Sequence, residues 1–204
     1  MKLLAMGKRA DALAVFERAS RFLVCSGATR YNAALCLLLL GKQEDAQRRF
    51  DKLSKSWVLS KNVPLAAAAA HLASVSASLS GDEPKARALF DQANKIKAET
   101  PVASVSELML LARAGNHGGV VKLAETRWQA LESCGWILRK AARLVQAYAA
   151  QQIGQPEAAI TEIIAGAKPF AAGDFDFLSA QWPEMKAFLE TRTAPSPSAQ
   201  SAAS

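Results

Sequence analysis

The chain is predicted to be all-α, a solenoid of antiparallel helical hairpins with a C-terminal capping helix, and three observations predict it. Apolar residues recur at three- and four-residue spacing with charge between them over most of the 204 residues. A short frame repeats: a Gly, an Ala five residues on and an aromatic nine on, as Gly7/Ala12/Phe16, Gly41/Ala46/Phe50 and Gly81/Ala86/Phe90. A small or apolar residue stands twelve past each Gly (Ala19, Leu53, Ala93), and looser copies follow at Gly115/Val120/Ala124 and Gly154/Ala159/Ile163. The eleven Gly and eight Pro fall where a helical reading needs breaks, and no strand-like alternation appears.

Taken in order, residues 3–6 form the last turn of a helix that Gly7 ends, and Leu13, Phe16, Ala19 and Phe22 line one face of a helix over Ala10–Phe22. Glycine suits such an end because a helix that must turn back sharply is best closed by a residue free to adopt positive φ. After Ser26-Gly27 comes a pair over Thr29–Leu40 and Gln43–Ser54; the second member turns Arg48, Arg49 and Lys52 outward and Ala46, Phe50 and Leu53 inward. Asn62-Val63-Pro64 opens a third pair, Leu65–Ser80 and Glu83–Lys97. Pro84 sits in the first turn of the latter, where its missing N–H costs little, and the run Ala66–Ala70 lets another helix approach closely. Thr100-Pro101 precedes a fourth pair near Ser104–Ala114 and Gly118–Leu131, less regular because Gly118-Gly119 is a poor helix start. A fifth follows over Ile137–Gln152 and Pro156–Ala167. Phe175, Phe177, Leu178, Trp182, Met185, Phe188 and Leu189 then define one apolar terminal helix, Phe175–Thr191, as a lid over the last hairpin, with Asp174 and Asp176 at its N-cap. The Trp residues at 57, 128, 136 and 182 read as core and cap, and residues 192–204 as a flexible Pro/Ser/Ala tail.

Half the residues are hydrophobic and 21% are charged, a globular composition. The net charge of +7 lies entirely in the first third: residues 1–61 hold twelve Lys/Arg against five Asp/Glu, and the remainder thirteen against thirteen. Such an end attracts an acidic protein, a nucleic acid or an anionic surface. The basic residues are scattered, without the interleaved aromatics that stack bases, and so read first as a solvated face. Cys25, Cys36 and Cys134 are odd in number and lack zinc-site spacing, so buried free thiols are expected, with no metal and no cofactor. No signal peptide opens the chain, and Asn62–Gly81, the longest stretch without charge, is mostly Ala and Ser and too weakly apolar for a membrane span; a cytoplasmic protein is expected. Phosphate loops, nucleophile elbows and HExxH patterns are missing, so no enzyme and no catalytic residue is expected.

The intervals between the recurring glycines are 34, 40, 34 and 39 residues. With the Ala and the aromatic at their fixed offsets, the chain resembles the tetratricopeptide-repeat (TPR) family over nearly its whole length. That resemblance implies a superhelix of about five repeats over residues 1–191, the first truncated before Gly7, with the capping helix from about residue 174. It also implies a concave groove lined by the first helix of each hairpin. On this chain the groove positions are Tyr31, Leu35, Leu38, His71, Val75, Met109, Arg113, Leu144, Tyr148 and Gln152, a largely apolar set. It lacks the Lys, Arg and Asn array with which chaperone-binding members clamp a carboxylate, so the expected function is an adaptor or scaffold binding a partner peptide or amphipathic helix. Two alternatives stand beside it: a nucleic-acid-binding helical repeat using the basic third, and a regulatory repeat domain of a larger protein. Each groove position also has a packing reading; Tyr31 and Tyr148 at helical spacing can be contacts between helices, and His71 an ordinary polar side chain.

Overall fold

In a computed structural model of the chain, residues 2–21, 26–167 and 174–193 are described, and every regular element among them is an α-helix. The helices are α1 (Lys2–Ala5), α2 (Arg9–Ala19), α3 (Ser26–Leu39), α4 (Gln43–Leu59), α5 (Val63–Leu79), α6 (Glu83–Lys97), α7 (Pro101–Arg113), α8 (His117–Thr126), α9 (Trp128–Glu132), α10 (Trp136–Gln152), α11 (Glu157–Ala165), α12 (Asp176–Ser179) and α13 (Pro183–Thr193). Up to α11 each helix packs on the next in the chain, most extensively α4 on α5 and α5 on α6. Helices α5 and α7 also meet, as do α7 and α8 with α10.

The recurring glycines end helices as their chemistry requires. Gly7, Gly41, Gly81, Gly115 and Gly154 all have φ between 72° and 82°. At Gly41 the N–H bonds the Leu38 carbonyl at 3.0 Å and the next N–H, of Lys42, reaches back to Leu37 at 2.9 Å, so the last carbonyls of α3 are satisfied. The same two bonds close α4, from Lys61 to Val58 at 3.0 Å and from Asn62 to Trp57 at 2.8 Å, with Lys61 itself at φ 59°. No glycine marks that turn in the sequence.

The frame residues pack as their size suggests in the first four hairpins: Ala12, Ala46, Phe50, Ala86, Val120 and Ala124 are buried, and Phe16 and Phe90 are partly buried against the core. Around Ala86 the helices are close enough for Ser74 Oγ to donate to the Ala86 carbonyl at 2.7 Å. The alanine run packs too, with Ala66, Ala67, Ala69 and Ala70 buried. The fifth hairpin departs from the expected register. Ala159 and Ile163 are only partly buried, and Ile160 and Ile164 take the interior positions. In the other four hairpins the helix begins two residues after the glycine, but here Pro156 is the N-cap and the helix starts at Glu157, three after Gly154, so the inward face moves by one residue.

Several boundaries differ from the pattern reading: α3 already begins at Ser26, inside the expected break and three residues before Thr29, and α7 begins at Pro101 rather than near Ser104. Helix α4 runs five residues past Ser54, to Leu59. The second helix of the fourth hairpin breaks at Arg127 into α8 and α9; Asn116 caps α8 by accepting from the Gly119 N–H at 2.9 Å, and a Cβ at 119 would stand 2.8 Å from the Asn116 side chain, so Gly119 makes room for the cap. The single terminal helix is two, α12 and α13, because Pro183 lacks the N–H that would continue α12 and instead begins a new helix. The tail beyond Thr193, together with Phe22 and Cys25, lies outside the described residues.

Candidate functional site

The predicted groove positions come from the first helices of successive hairpins. Leu38 (α3), Val75 (α5), Met109 (α7), Leu144 and Tyr148 (both α10) are buried, and Tyr31, Leu35 and Arg113 are partly buried. Gln152, at the end of α10, is exposed. The expected open apolar surface is therefore largely interior in this arrangement. Tyr31 packs edge-on against Phe50 at 5.5 Å and tilted against Trp57 at 6.0 Å; burial, with the Cys134 thiol adding to it, pushes its hydroxyl pKa up to about 12. His71 on α5 is fully buried edge-on to Phe90 at 5.5 Å, and neither ring nitrogen has a hydrogen bond of good geometry. Burial lowers its pKa to about 4, and the nearby Lys97 backbone offsets only part of that.

Part of this surface, at Arg113 and Tyr148, is met by the chain's own C-terminal segment. Residues 174–193 lie not over the last hairpin alone but across the array, from the first hairpin to the fifth. At the start of the segment the Arg9 guanidinium donates to the Asp174 carbonyl, with the Asp174 carboxylate 3.6 Å away. Helix α12 then rests on α3 and α5, where Gln43 Nε2 donates to the Phe177 carbonyl at 2.8 Å. Arg113 donates to the Gln181 carbonyl at 3.3 Å and lies over the Trp182 ring, 5.1 Å from its centre. Tyr148 meets Trp182 at 5.3 Å, Phe188 at 5.8 Å and His117 at 5.5 Å, all edge-on. Burial raises the Tyr148 pKa, with Glu184 contributing. At the far end Arg192 pairs with Glu157 and donates to Gln151 at 3.0 Å, which holds the Glu157 carboxyl below its usual range. Phe175, Phe177, Leu178, Trp182, Met185, Phe188 and Leu189 are all buried by this placement.

Two of the predicted positions, Arg113 and Tyr148, thus touch the segment directly. Arg9 and Gln43 were not legible as site residues, since each reads as a polar residue in the first turn of an amphipathic helix. Gln43 is 1% exposed and donates through its Nε2, but its Oε1 has no hydrogen-bond partner. Beside the start of the segment a cleft of 310 Å³ opens among Leu4, Arg9, Leu39, Trp136, Ile137 and Lys140, bringing α10 to the first hairpins.

The basic first third is partly neutralised within the protein: Arg9, Arg48, Arg49 and Lys55 sit in ion pairs with Asp174, Asp45, Glu17 and Asp51. Cys36 and Cys134 are buried free thiols whose pKa burial pushes up to about 11, so both stay protonated and unreactive at neutral pH. Among the described residues no group of three or more His, Cys, Asp or Glu is placed to hold a metal ion, and no helix is long and apolar enough to cross a membrane. Comparison with protein-family models, with curated proteins and with solved structures finds no match for this chain.

Proposed function

We propose that this chain is a protein-binding scaffold or adaptor in which TPR-like hairpins stack as a solenoid and the face over the C-terminal ends of α3, α5, α7 and α10 receives an apolar helix of a partner protein. One observation carries the reading: that face is filled by an apolar helical segment, the chain's own residues 174–193, through aromatic contacts and side-chain hydrogen bonds to main-chain carbonyls. A surface that meets large rings with Tyr148 and carbonyls with Arg9, Gln43 and Arg113 recognises the shape and backbone of a helix-and-turn segment, the physics of helix-in-groove binding. The solenoid arrangement is supported by the recurring glycine turns and by the contacts of α5 with α7 and of α7 with α10, first helix to first helix along the chain.

In this reading the protein binds rather than catalyses, needs no cofactor, and works in the cytoplasm, where the thiols of Cys36 and Cys134 stay reduced. Exposed basic residues of the first third that are not spent in ion pairs favour an acidic partner and a faster encounter. The test is affinity capture with the full chain from a lysate of its native cells, followed by rebinding of each captured protein in purified form. Saturable rebinding with a Kd of about 10 μM or tighter supports the reading, and a set of captured proteins none of which rebinds overturns it.

A further inference from the structure

Residues 174–193 are seated as a ligand is seated. Their first half has little secondary structure of its own: α12 is a four-residue helix, flanked by turns at Asp174–Phe175 and at Ala180–Gln181. A helix that short leaves most of its backbone groups without intrahelical partners. Three carbonyls in this stretch, those of Asp174, Phe177 and Gln181, accept from Arg9, Gln43 and Arg113, side chains brought in by α2, α4 and α7. The array therefore supplies, at three separate stations, the hydrogen bonds that the segment cannot make for itself. Between those stations the fit is close, since a Cβ on Gly41 would stand 3.4 Å from the Ala180 Cβ.

The seat is not fully used. The carboxamide of Gln43 has a donor and an acceptor side by side, the pair that matches one peptide group's C=O and a neighbouring N–H. The resident segment takes the donor through the Phe177 carbonyl and leaves Oε1 buried without a partner, a state that costs free energy. Holding some twenty residues in one conformation also offsets much of what burying their apolar side chains contributes. A segment with the same rings that also brings a backbone N–H to Oε1 would satisfy both atoms.

We propose that residues 174–193 are an internal stand-in, and that the partner is a protein segment of the same chemistry. That partner is a short apolar turn with open main-chain groups, followed by a helix whose aromatic anchors match Trp182 and Phe188, and it binds by displacing residues 174–193 from Gln43, Arg113 and Tyr148. This rests on the scaffold reading above and names the ligand class of that site. It makes the C-terminal segment a gate: the face is closed to weak ligands and opens to one that completes Gln43.

The test uses the full chain and a labelled synthetic peptide of residues 174–193 as the probe. The wild-type chain binds the probe weakly, because the seat is occupied. The full chain carrying Trp182→Ala with Phe188→Ala, whose own segment is loosened, binds it at least about tenfold more tightly by fluorescence anisotropy. Equal affinities overturn the proposal. Should that variant lose its helical circular dichroism, the wild-type chain serves instead: saturating probe must speed amide hydrogen exchange within 174–193 while α5 and α7 stay protected. Unchanged exchange in the segment overturns the proposal. A partner that rebinds the chain while the probe neither binds nor displaces leaves the scaffold reading standing and removes this one. Displacement by the probe without any rebinding partner does the reverse.

Discussion

The turns at the two ends of α4 close with the same pair of backbone hydrogen bonds, yet one is built on a glycine beneath another segment and the other on a lysine in the open. At the α3–α4 turn Gly41 has φ 74°, and Ala180 lies against it. At the α4–α5 turn Lys61 has φ 59° and is exposed, and Val58, Leu59, Val63 and Leu65 around it are exposed as well, Leu59 by 85%. Positive φ is needed at both turns, but only at Gly41 would a side chain also come into contact with another segment, its Cβ 3.4 Å from that of Ala180. Lys61 adopts the same backbone at a strain cost of about 1–2 kcal/mol. Glycine carries no such cost.

The largest way to break the contrast is to strip the cover. Trp182→Ala removes a buried ring from Tyr148 and Arg113, and we expect a loss of about 3–5 kcal/mol, read from the urea midpoint. A loss under about 1 kcal/mol would mean that the segment is only laid on the surface.

Next comes α5, which runs from the bare turn to the covered side with His71 buried midway. The folded protein keeps His71 neutral down to a pKa of about 4, whereas the unfolded chain takes up its proton near 6.5. Between those values the unfolded state holds more protons, so stability is fully present above pH 6.5 and falls as pH drops toward 4, by about 3 kcal/mol in all, with no further loss from this group below 4. Comparison of urea midpoints at pH 7.5 and 4.5 between the wild type and His71→Leu isolates the effect from carboxylate titration; equal slopes would remove His71 as its source.

The two turns can then be interchanged. Lys61→Gly relieves the strained backbone where nothing covers it and should raise stability by about 1 kcal/mol, whereas Gly41→Ala introduces both strain and a contact with Ala180 and should lower it by at least as much. Thermal midpoints that move in the same direction would refute the distinction. The smallest effect is expected on the bare side, where Leu59→Gln should leave the midpoint within about 0.5 kcal/mol of wild type.

The pattern of residues made the helices legible, and it made four of the five glycine joints legible with the packing around them. It did not reveal the Lys61 joint, because a left-handed lysine held by two backbone hydrogen bonds leaves no trace in composition. Nor did it reveal the slipped register of the fifth hairpin, where Gln155 adds one residue between the glycine and the cap and moves Ile160 and Ile164 inward. Of the predicted groove residues, Arg113 and Tyr148 lie at the contact with the C-terminal segment; Leu38, Val75, Met109 and Leu144 are buried, and the apolar character that suggested a groove equally describes a core.

The sequence by itself determined which stretches are helical, where they turn, and that residues 175–189 must hide their rings, since those properties follow from local spacing, backbone freedom and the cost of wetting apolar surface. Only the tertiary structure decided what those rings hide against. Hydrophobic burial has no direction, so Phe177, Trp182 and Phe188 could as well have capped the last hairpin. The choice rests on directional groups far apart in the chain, Arg9, Gln43 and Arg113, whose donors meet the carbonyls of a segment that returns to the first hairpin.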